Sequence, residues 1–282
     1  MTMIAFSNQK GGVGKTSLCW NTAVFLANKY GKKVLVVDLD TQGTISTTLA
    51  GVYDDEGVLV SPRINSDCLN TPELFKKDLQ KSKDYKILKS SHNIDLIFNQ
   101  TYTVELFVYM YQPPCEEVNV TGQVNCFINN LKMIANDYDY VLLDCPPAYG
   151  HYITAALYAS DYVLAPIKPI SMNLLGAKSL YDLVSIQKNP KKFLGLVFNY
   201  INKSWPRDLN YVQSLRDSYG DLIFKSVIYQ RAPFNYSIES NTPLYKHPQW
   251  RTSALEVEGF VKELIERIDI RENKTTPLNS LF

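Results

Sequence analysis

A glycine-rich segment near the start of the chain constrains the fold more than any other feature of this sequence. It reads Gln9-Lys10-Gly11-Gly12-Val13-Gly14-Lys15-Thr16-Ser17. Small residues let successive backbone N–H groups turn inward around an anion. An apolar run typical of a buried strand (3–6) precedes the segment, and a helical pattern (17–28) follows it. Strand, glycine-rich loop and helix in this order predict a phosphate-binding loop.

Two side chains of this loop have the chemistry that a polyphosphate and its metal ion require. Lys15 can reach the β- and γ-phosphates, and the Thr16 hydroxyl can ligate Mg²⁺. The backbone of residues 11–14 would cradle the phosphate oxygens. The loop departs from the general G-x-x-x-x-G-K-[ST] spacing, because Gln9 stands where that spacing has glycine. A second lysine, Lys10, lies at the head of the loop instead.

Two further apolar runs end in acidic residues. Residues 34–37 are followed by Asp38-Leu39-Asp40, and residues 140–143, within the segment 138–147, by Asp144-Cys145-Pro146-Pro147. Alternation along a strand predicts that Asp38 and Asp40 share a face at the carboxyl end of the sheet, where doubly wound sheets bind ligands. Asp144 can hold Mg²⁺ through a water molecule, because Mg²⁺ keeps much of its hydration shell.

These three motifs resemble those of the ParA/MinD family of P-loop ATPases, and among them the short, Soj-like ParA proteins. The segment Lys10–Ser17 resembles the family's deviant Walker A motif, 38–43 its DxDxQG motif, and 138–147 its hhhDCPP motif. The resemblance covers residues 3 to about 244. It is specific in the three motifs and loose between them. Thr41 stands where family members usually have proline.

The resemblance implies roles for several residues. Lys10 would cross a dimer interface to the partner's nucleotide, and Asp40 would hold the attacking water. Ser17 would contact the α-phosphate. Asn199 follows the apolar run 194–198 and would read the edge of the adenine.

The order of patterns along the chain predicts the fold. Strand and helix patterns alternate throughout, which is typical of βαβ units and a parallel sheet. We expect an α/β architecture, a doubly wound and mostly parallel sheet flanked by helices, which is the P-loop NTPase fold. One ATPase domain would span 1–270, with 271–282 as a mobile tail. Ser253 and Glu256 predict a capping box that opens a helix docked on the core.

Composition limits the classes of function. The net charge is only +1, and no apolar run approaches the ~20 residues of a membrane span. The odd cysteine count without a CxxC pair favours reduced thiols and a cytoplasmic location. The polar face of the C-terminal helix is rich in acids, which anionic lipids would repel, so we expect no membrane binding.

Two stretches of the chain predict little about function. Lysines interrupted by acids in 51–92 predict a solvated helix face. The aromatic stretch 102–111 predicts a packing patch or a dimer-edge contact.

Basic residues recur in the last third of the chain. Those that could meet an anionic partner are Lys188, Lys191, Lys192, Lys203, Arg207, Arg231, Lys246 and Arg251.

As a member of the ParA group, the chain would use ATP and Mg²⁺ as cofactors. The resemblance further implies an ATP-dependent homodimer, associated with the nucleoid, that binds DNA non-specifically. Slow hydrolysis would be stimulated by a ParB-like adaptor protein. Three alternatives share the fold: a ParA-like ATPase that positions a protein cargo, a MinD-like membrane-positioning ATPase, and an iron–sulfur reductase of the nitrogenase iron-protein type.

Overall fold

The computed structural model describes residues 1–53, 59–60, 68–77, 79, 85–90, 92–99, 120–147, 150–186 and 192–273. Its strands are β1 (Thr2–Phe6), β2 (Val34–Asp38), β3 (Val52–Tyr53), β4 (Leu59–Val60), β5 (Leu88–Lys89), β6 (Ile94–Ile97), β7 (Tyr140–Asp144), β8 (Tyr162–Ile167), β9 (Phe193–Ile201) and β10 (Ile223–Tyr229). Within these residues, eight strands form one sheet in the order β10-β9-β8-β1-β7-β2-β6-β5. Within this sheet only β5 runs antiparallel to its neighbour, and β3 and β4 form a separate antiparallel pair. The predicted doubly wound, mostly parallel sheet is confirmed.

Helices cover both faces of this sheet. They are α1 (Lys15–Lys29), α2 (Thr44–Ala50), α3 (Val120–Ala135), α4 (His151–Ala159), α5 (Ser171–Ile186), α6 (Pro206–Tyr219), α7 (Ala232–Glu239) and α8 (Arg251–Asn273). Ile4 and Phe6 of β1 pack in a core with α1, α2, α7 and α8. Met3 and Ala5 point the other way, into a core with α3 to α6. Because both faces of β1 are buried, the strand is an unbroken apolar run.

The C-terminal helix differs from the prediction in both its start and its end. It begins at Arg251, because a 3₁₀ turn (Pro248–Trp250) leads directly into it. Ser253 is therefore a buried residue inside the first turn and not an N-cap. The helix also passes the predicted boundary at residue 270, since the Arg271 guanidinium donates hydrogen bonds to the carbonyls of Phe193 (2.8 Å) and Leu194 (3.2 Å).

The prediction of a solvated helix face in 51–92 is wrong for the residues described there. They form a 3₁₀ turn (Thr71–Phe75), which Asn70 and Glu73 cap reciprocally, and the edge strand β5. Lys89 of β5 pairs with Asp95 of β6, so this lysine supports the sheet edge. The aromatic stretch 102–111 lies outside the described residues.

Two of the compositional predictions can be compared with the structure. No helix in the described part of the chain is both long enough and apolar enough to cross a bilayer. The four cysteines in that part (Cys19, Cys68, Cys126 and Cys145) are free thiols.

Candidate nucleotide-binding site

The glycine-rich loop connects β1 to α1 at the carboxyl edge of the sheet. Gly12 (φ 70°) and Gly14 (φ 88°) adopt the left-handed conformation, which glycine reaches without a Cβ clash. Gly14 is the N-cap of α1, and no side chain caps the helix there. The first N–H groups of α1 therefore receive no side-chain cap from Gly14, and their binding of an anion stays a prediction.

Lys15 lies inside the loop instead of extending into solvent. Its side chain is buried, and its Nζ donates a hydrogen bond to the Lys10 carbonyl at 3.3 Å. Burial lowers the pKa of the Lys15 ammonium, whereas the charges of Asp144 and Asp40 raise it. Lysine and carboxylates are therefore brought together, as a site for polyphosphate and metal requires.

The head of the loop is fixed by a residue that the sequence patterns did not single out. Asn8 is fully buried. Its Nδ2 donates to the Pro166 carbonyl of β8 at 2.8 Å, and its Oδ1 accepts from the Lys10 N–H at 3.0 Å. A Cβ on Gly176 of α5 would lie 2.8 Å from Asn8 Oδ1 and 3.3 Å from Lys10 Cγ. The Lys10 stem can therefore lie along α5 only because position 176 is glycine.

Two buried carboxylates face each other across neighbouring strands. Asp38 of β2 and Asp144 of β7 are register partners, and neither is exposed. Burial raises the pKa of both groups, and the charge of Asp38 raises that of Asp144 further. Asp38 is well hydrogen bonded, because it accepts from the Ser46 N–H (3.1 Å), the Ser46 hydroxyl (2.5 Å) and the Asp40 N–H (3.0 Å). It anchors the turn between β2 and α2.

The Asp144 carboxylate lacks comparable hydrogen bonds. Neither of its carboxylate oxygens accepts a well-formed hydrogen bond from the described residues. The nearby Thr16 hydroxyl and the Lys15 ammonium only partly offset the rise in its pKa. A buried carboxylate without partners is unfavourable unless a cation compensates it. Asp144 and Thr16 therefore fit Mg²⁺, with Asp144 able to act through a coordinated water.

Asp40 lies in the turn beyond β2 and not on the strand itself. Strand β2 ends at Asp38, so strand alternation does not extend to Asp40, and the prediction of a shared strand face is wrong. Asp40 is partly exposed, whereas Asp38 is fully buried. The Asp40 carboxylate accepts the Gln42 N–H at 3.0 Å, which orders the turn although Thr41 replaces the family's proline.

Asn199 lies in a β-bulge of β9 and contacts the phosphate loop. Between β9 and β10 the pairs Phe198–Val227 and Ile201–Tyr229 leave one extra residue on β9. Tyr200 in this bulge has a φ of 59°, which is unusual for an aromatic residue. Asn199 Oδ1 accepts the Tyr200 N–H (3.0 Å), and its Nδ2 donates to the Val13 carbonyl (3.0 Å). Reading of adenine by Asn199 stays a prediction.

Tyr200 extends the site beyond the predicted residues. Its hydroxyl donates to Asn235 Oδ1 of α7 at 2.8 Å, and Lys168 Nζ lies 4.4 Å from its ring centroid. A Cβ on Gly14 would lie 3.0 Å from its Cε2. No sequence signal predicts this placement, because a left-handed tyrosine within a strand arises from the bulge and not from local propensity.

The fold and this site define a P-loop nucleotide-binding protein. The AAA_31 family profile, described as an AAA domain, matches residues 1–195. That is more than half of the chain, and the chain belongs to this family. Together with its relatives, this match assigns the chain to the ParA/MinD family of P-loop ATPases.

The similar proteins agree with this assignment. The chain is 28% identical over 279 residues to an uncharacterized protein of Methanocaldococcus jannaschii, covering 95% of this chain and 100% of the relative. It is 26% identical over 269 residues to a virulence plasmid ParA family protein of Chlamydia psittaci, covering 95% and 96%. Its fold matches a putative plasmid partition protein of Borrelia burgdorferi bound to AMPPNP, with a TM-score of 0.72 at 21% identity over 94% of this chain and 99% of that one.

Proposed function

We propose that the protein is a ParA-type partition ATPase. Two copies close over two ATP molecules, the dimer binds DNA irrespective of sequence, and hydrolysis stimulated by a ParB-like adaptor ends the cycle. The observation that carries the nucleotide part is the unpartnered, buried Asp144 carboxylate beside Lys15 and Thr16. The plasmid-partition names of the relatives support the rest. Such a protein works in the cytoplasm, associated with the nucleoid.

Each residue of the site then has a role in hydrolysis. The backbone from Gly11 to Gly14 and the Lys15 ammonium bind the phosphates, with Ser17 at the α-phosphate. Thr16 and Asp144 would hold Mg²⁺, and the ion would supply positive charge beside the phosphates. Asp40 orients the attacking water from its partly exposed turn. The loop lysines, Lys15 and the partner copy's Lys10, would stabilise the negative charge that develops near the γ-phosphate during hydrolysis.

The surroundings of Lys10 support action across a dimer interface. Its stem lies along α5, close to Gly176. Near the start of that helix, Ile170 (49%) and Leu175 (65%) are exposed apolar side chains. Large apolar side chains exposed next to a charged site favour a protein partner over bare solvent. We assign this surface to the second copy, whose nucleotide Lys10 would contact.

A variant that binds ATP but does not hydrolyse it provides the test. Asp40→Ala removes the water-orienting carboxylate and leaves the phosphate contacts intact, so it should accumulate as an ATP-bound dimer. We expect size exclusion with ATP and Mg²⁺ to show that dimer. Fluorescence anisotropy should then show binding to two unrelated duplexes with ATP and not with ADP. The control is Asp137→Ala. Asp137 is an exposed acid before the amino end of β7, far from the loop, and this variant should behave like the wild type.

The alternatives give different results in the same experiments. If the Asp40→Ala dimer binds neither duplex, DNA partition is refuted and a protein cargo or a membrane remains. Flotation of the same dimer with anionic liposomes would then identify a MinD-like ATPase.

A further inference from the structure

A cavity lies between α5, β9 and the end of α6, on the face of the sheet opposite to α1. Its volume is about 290 Å³. Because liquid water takes ~30 Å³ per molecule, a cavity of this size has room for a compound as large as one amino acid. None of the described residues that line it belongs to the nucleotide site.

Most of the cavity wall is apolar. Five aliphatic or aromatic side chains from three elements line it: Leu174 and Ala177 from α5, Phe193 and Leu196 from β9, and Leu222 from the 3₁₀ turn (Gly220–Leu222) after α6. Ala177, Phe193 and Leu196 are buried and form the floor. Concave apolar walls with a few polar groups are typical of small-molecule sites.

Aromatic rings make up a large part of this wall. Tyr181 and Tyr219 line the cavity together with Phe193. The rings of Tyr181 and Phe193 meet edge to face, with centroids 5.4 Å apart and planes at 90°. Because aromatic rings favour edge-to-face and offset contacts with one another, this wall favours a ligand with an aromatic ring over an aliphatic one.

Two opposite charges lie at the mouth of the cavity. Lys178 and Asp182 of α5 both line it, and both are exposed. They are four residues apart with the lysine first, which is the less favourable order for an ion pair on a helix. In the described part of the chain, neither side chain has an ion-pair partner within 4.0 Å. Both charges are therefore available to a ligand that enters between them.

This combination matches a zwitterion with an aromatic side chain. The carboxylate of a free amino acid would pair with Lys178 and its ammonium with Asp182, while its side chain would fill the apolar floor. A ligand with only one charge would leave either the lysine or the aspartate without a partner. We propose that this cavity is a binding site for a free aromatic amino acid.

The site goes beyond the proposed function and does not depend on it, because no nucleotide takes part. It nevertheless shares a helix with the nucleotide site. Gly176 of α5, next to Ala177 in the chain, is the residue against which Asn8 and the Lys10 stem lie. A bound amino acid would therefore contact the same helix that packs against Lys10.

Calorimetry with the full chain and without nucleotide tests the site. L-Phenylalanine is the probe, and we expect saturable one-to-one binding with a dissociation constant below about 1 mM. Three analogues each lack one part of the probe. Phenethylamine has no carboxylate, 3-phenylpropionate has no ammonium, and glycine has no ring. Each should bind at least about fivefold more weakly than phenylalanine, which is the upper range for an exposed ion pair.

Substitutions assign each part of the ligand to a residue. In Lys178→Gln, phenylalanine and phenethylamine should bind equally, because the partner of the carboxylate is gone. In Asp182→Asn, phenylalanine and 3-phenylpropionate should bind equally for the corresponding reason. Ala177→Leu fills the floor and should abolish binding. This last change overpacks a buried position, so the two variants at exposed positions carry the test if it does not fold.

Matched controls lie outside the cavity. Lys132 of α3 and Asp137, which follows that helix, are an exposed cation and an exposed acid. Lys132→Gln and Asp137→Asn should leave the affinity for phenylalanine and the order of the analogues unchanged.

The remaining outcomes overturn the inference. Phenylalanine without saturable binding would refute the site. Analogues that bind as tightly as phenylalanine, or unchanged affinities in both Lys178→Gln and Asp182→Asn, would show that these two charges do not hold the ligand. If the nucleotide-free wild type is a dimer in size exclusion and Ala177→Leu is a monomer, the cavity is an interface between copies. The proposed function is tested by ATP-dependent dimerisation and DNA binding, so either result can fail without the other.

Discussion

Replacing Asp144 by asparagine should stabilise the metal-free protein while it destroys the metal site. Asp38 and Asp144 are buried register partners on adjacent strands. Neighbouring strands of a sheet are ~5 Å apart, so we take ~6 Å for the separation of the two carboxylates. Two like charges ~6 Å apart repel by about 3 kcal/mol at an effective dielectric constant of ~20. Asp144→Asn keeps the shape and removes this repulsion. We therefore expect a higher free energy of unfolding in EDTA, by about 2 kcal/mol at neutral pH.

The raised pKa values of the two carboxyl groups determine how this gain in stability changes with pH. The folded pKa of Asp38 is raised from 3.8 to about 7, and that of Asp144 is raised as well. The folded state thus holds these protons more tightly than the unfolded state. Stability is highest below the unfolded pKa and is lost as the pH rises toward the folded pKa, by up to about 1.4 kcal/mol per pH unit and per carboxyl. The advantage of Asp144→Asn should therefore grow from pH 5 to pH 7 by roughly 2 kcal/mol.

Urea unfolding at these two pH values, in EDTA, measures the effect. Asp208→Asn is the control, because Asp208 is also buried but its carboxylate accepts a hydrogen bond from the Asn202 N–H at 2.9 Å. It should be no more stable than the wild type, because the substitution disturbs this hydrogen bond. With ATP and Mg²⁺ the wild type should be stabilised more than Asp144→Asn. If Asp144→Asn is destabilised equally at both pH values, the two carboxylates do not repel each other and the argument for a metal site at Asp144 fails.

Four further substitutions test the loop. Lys15→Ala should weaken ATP binding in calorimetry by well over tenfold, about 2–4 kcal/mol for a charge-assisted contact; near-normal affinity would refute the phosphate-loop assignment. Lys10→Ala should bind ATP as a monomer and form no ATP-dependent dimer in size exclusion; an unimpaired dimer would exclude a role across the interface. Gly14→Ala would place a Cβ 2.1 Å from Asn199 Nδ2 at a φ of 88°, so thermal unfolding and ATP binding should both suffer. Gly12→Ala, with an open site at a φ of 70°, should lose only about 1 kcal/mol of stability from backbone strain; equal effects of the two changes would contradict the packing argument.

Local patterns in the sequence were enough for the fold class and for the centre of the site. Strand β1 with its loop and α1 is encoded by residues that are contiguous in the chain, so glycine spacing and apolar runs predict it. The acids of β2 and β7 were identified because parallel strands bring their carboxyl ends to one edge. Both predictions depend on backbone geometry that holds in any sheet of this type.

Other features depended on the residue at which an element begins or ends. The C-terminal helix starts at Arg251 and not at Ser253, because the turn before it already has helical geometry. Asp40 leaves the strand face because β2 ends two residues earlier. Strand alternation describes an element and not the point at which it ends, and a capping pattern does not exclude a helix start further upstream.

The sequence by itself determined that this chain builds a phosphate loop with lysine, hydroxyl and carboxylate groups at one edge of a parallel sheet. The tertiary structure alone decided how those groups differ. It buries Asp144 without a hydrogen-bond partner in the described residues, satisfies Asp38 through Ser46, and locks Asn199 onto Val13. The physical reason is that burial, charge proximity and hydrogen-bond satisfaction are properties of three-dimensional packing, and residues far apart in the chain supply them.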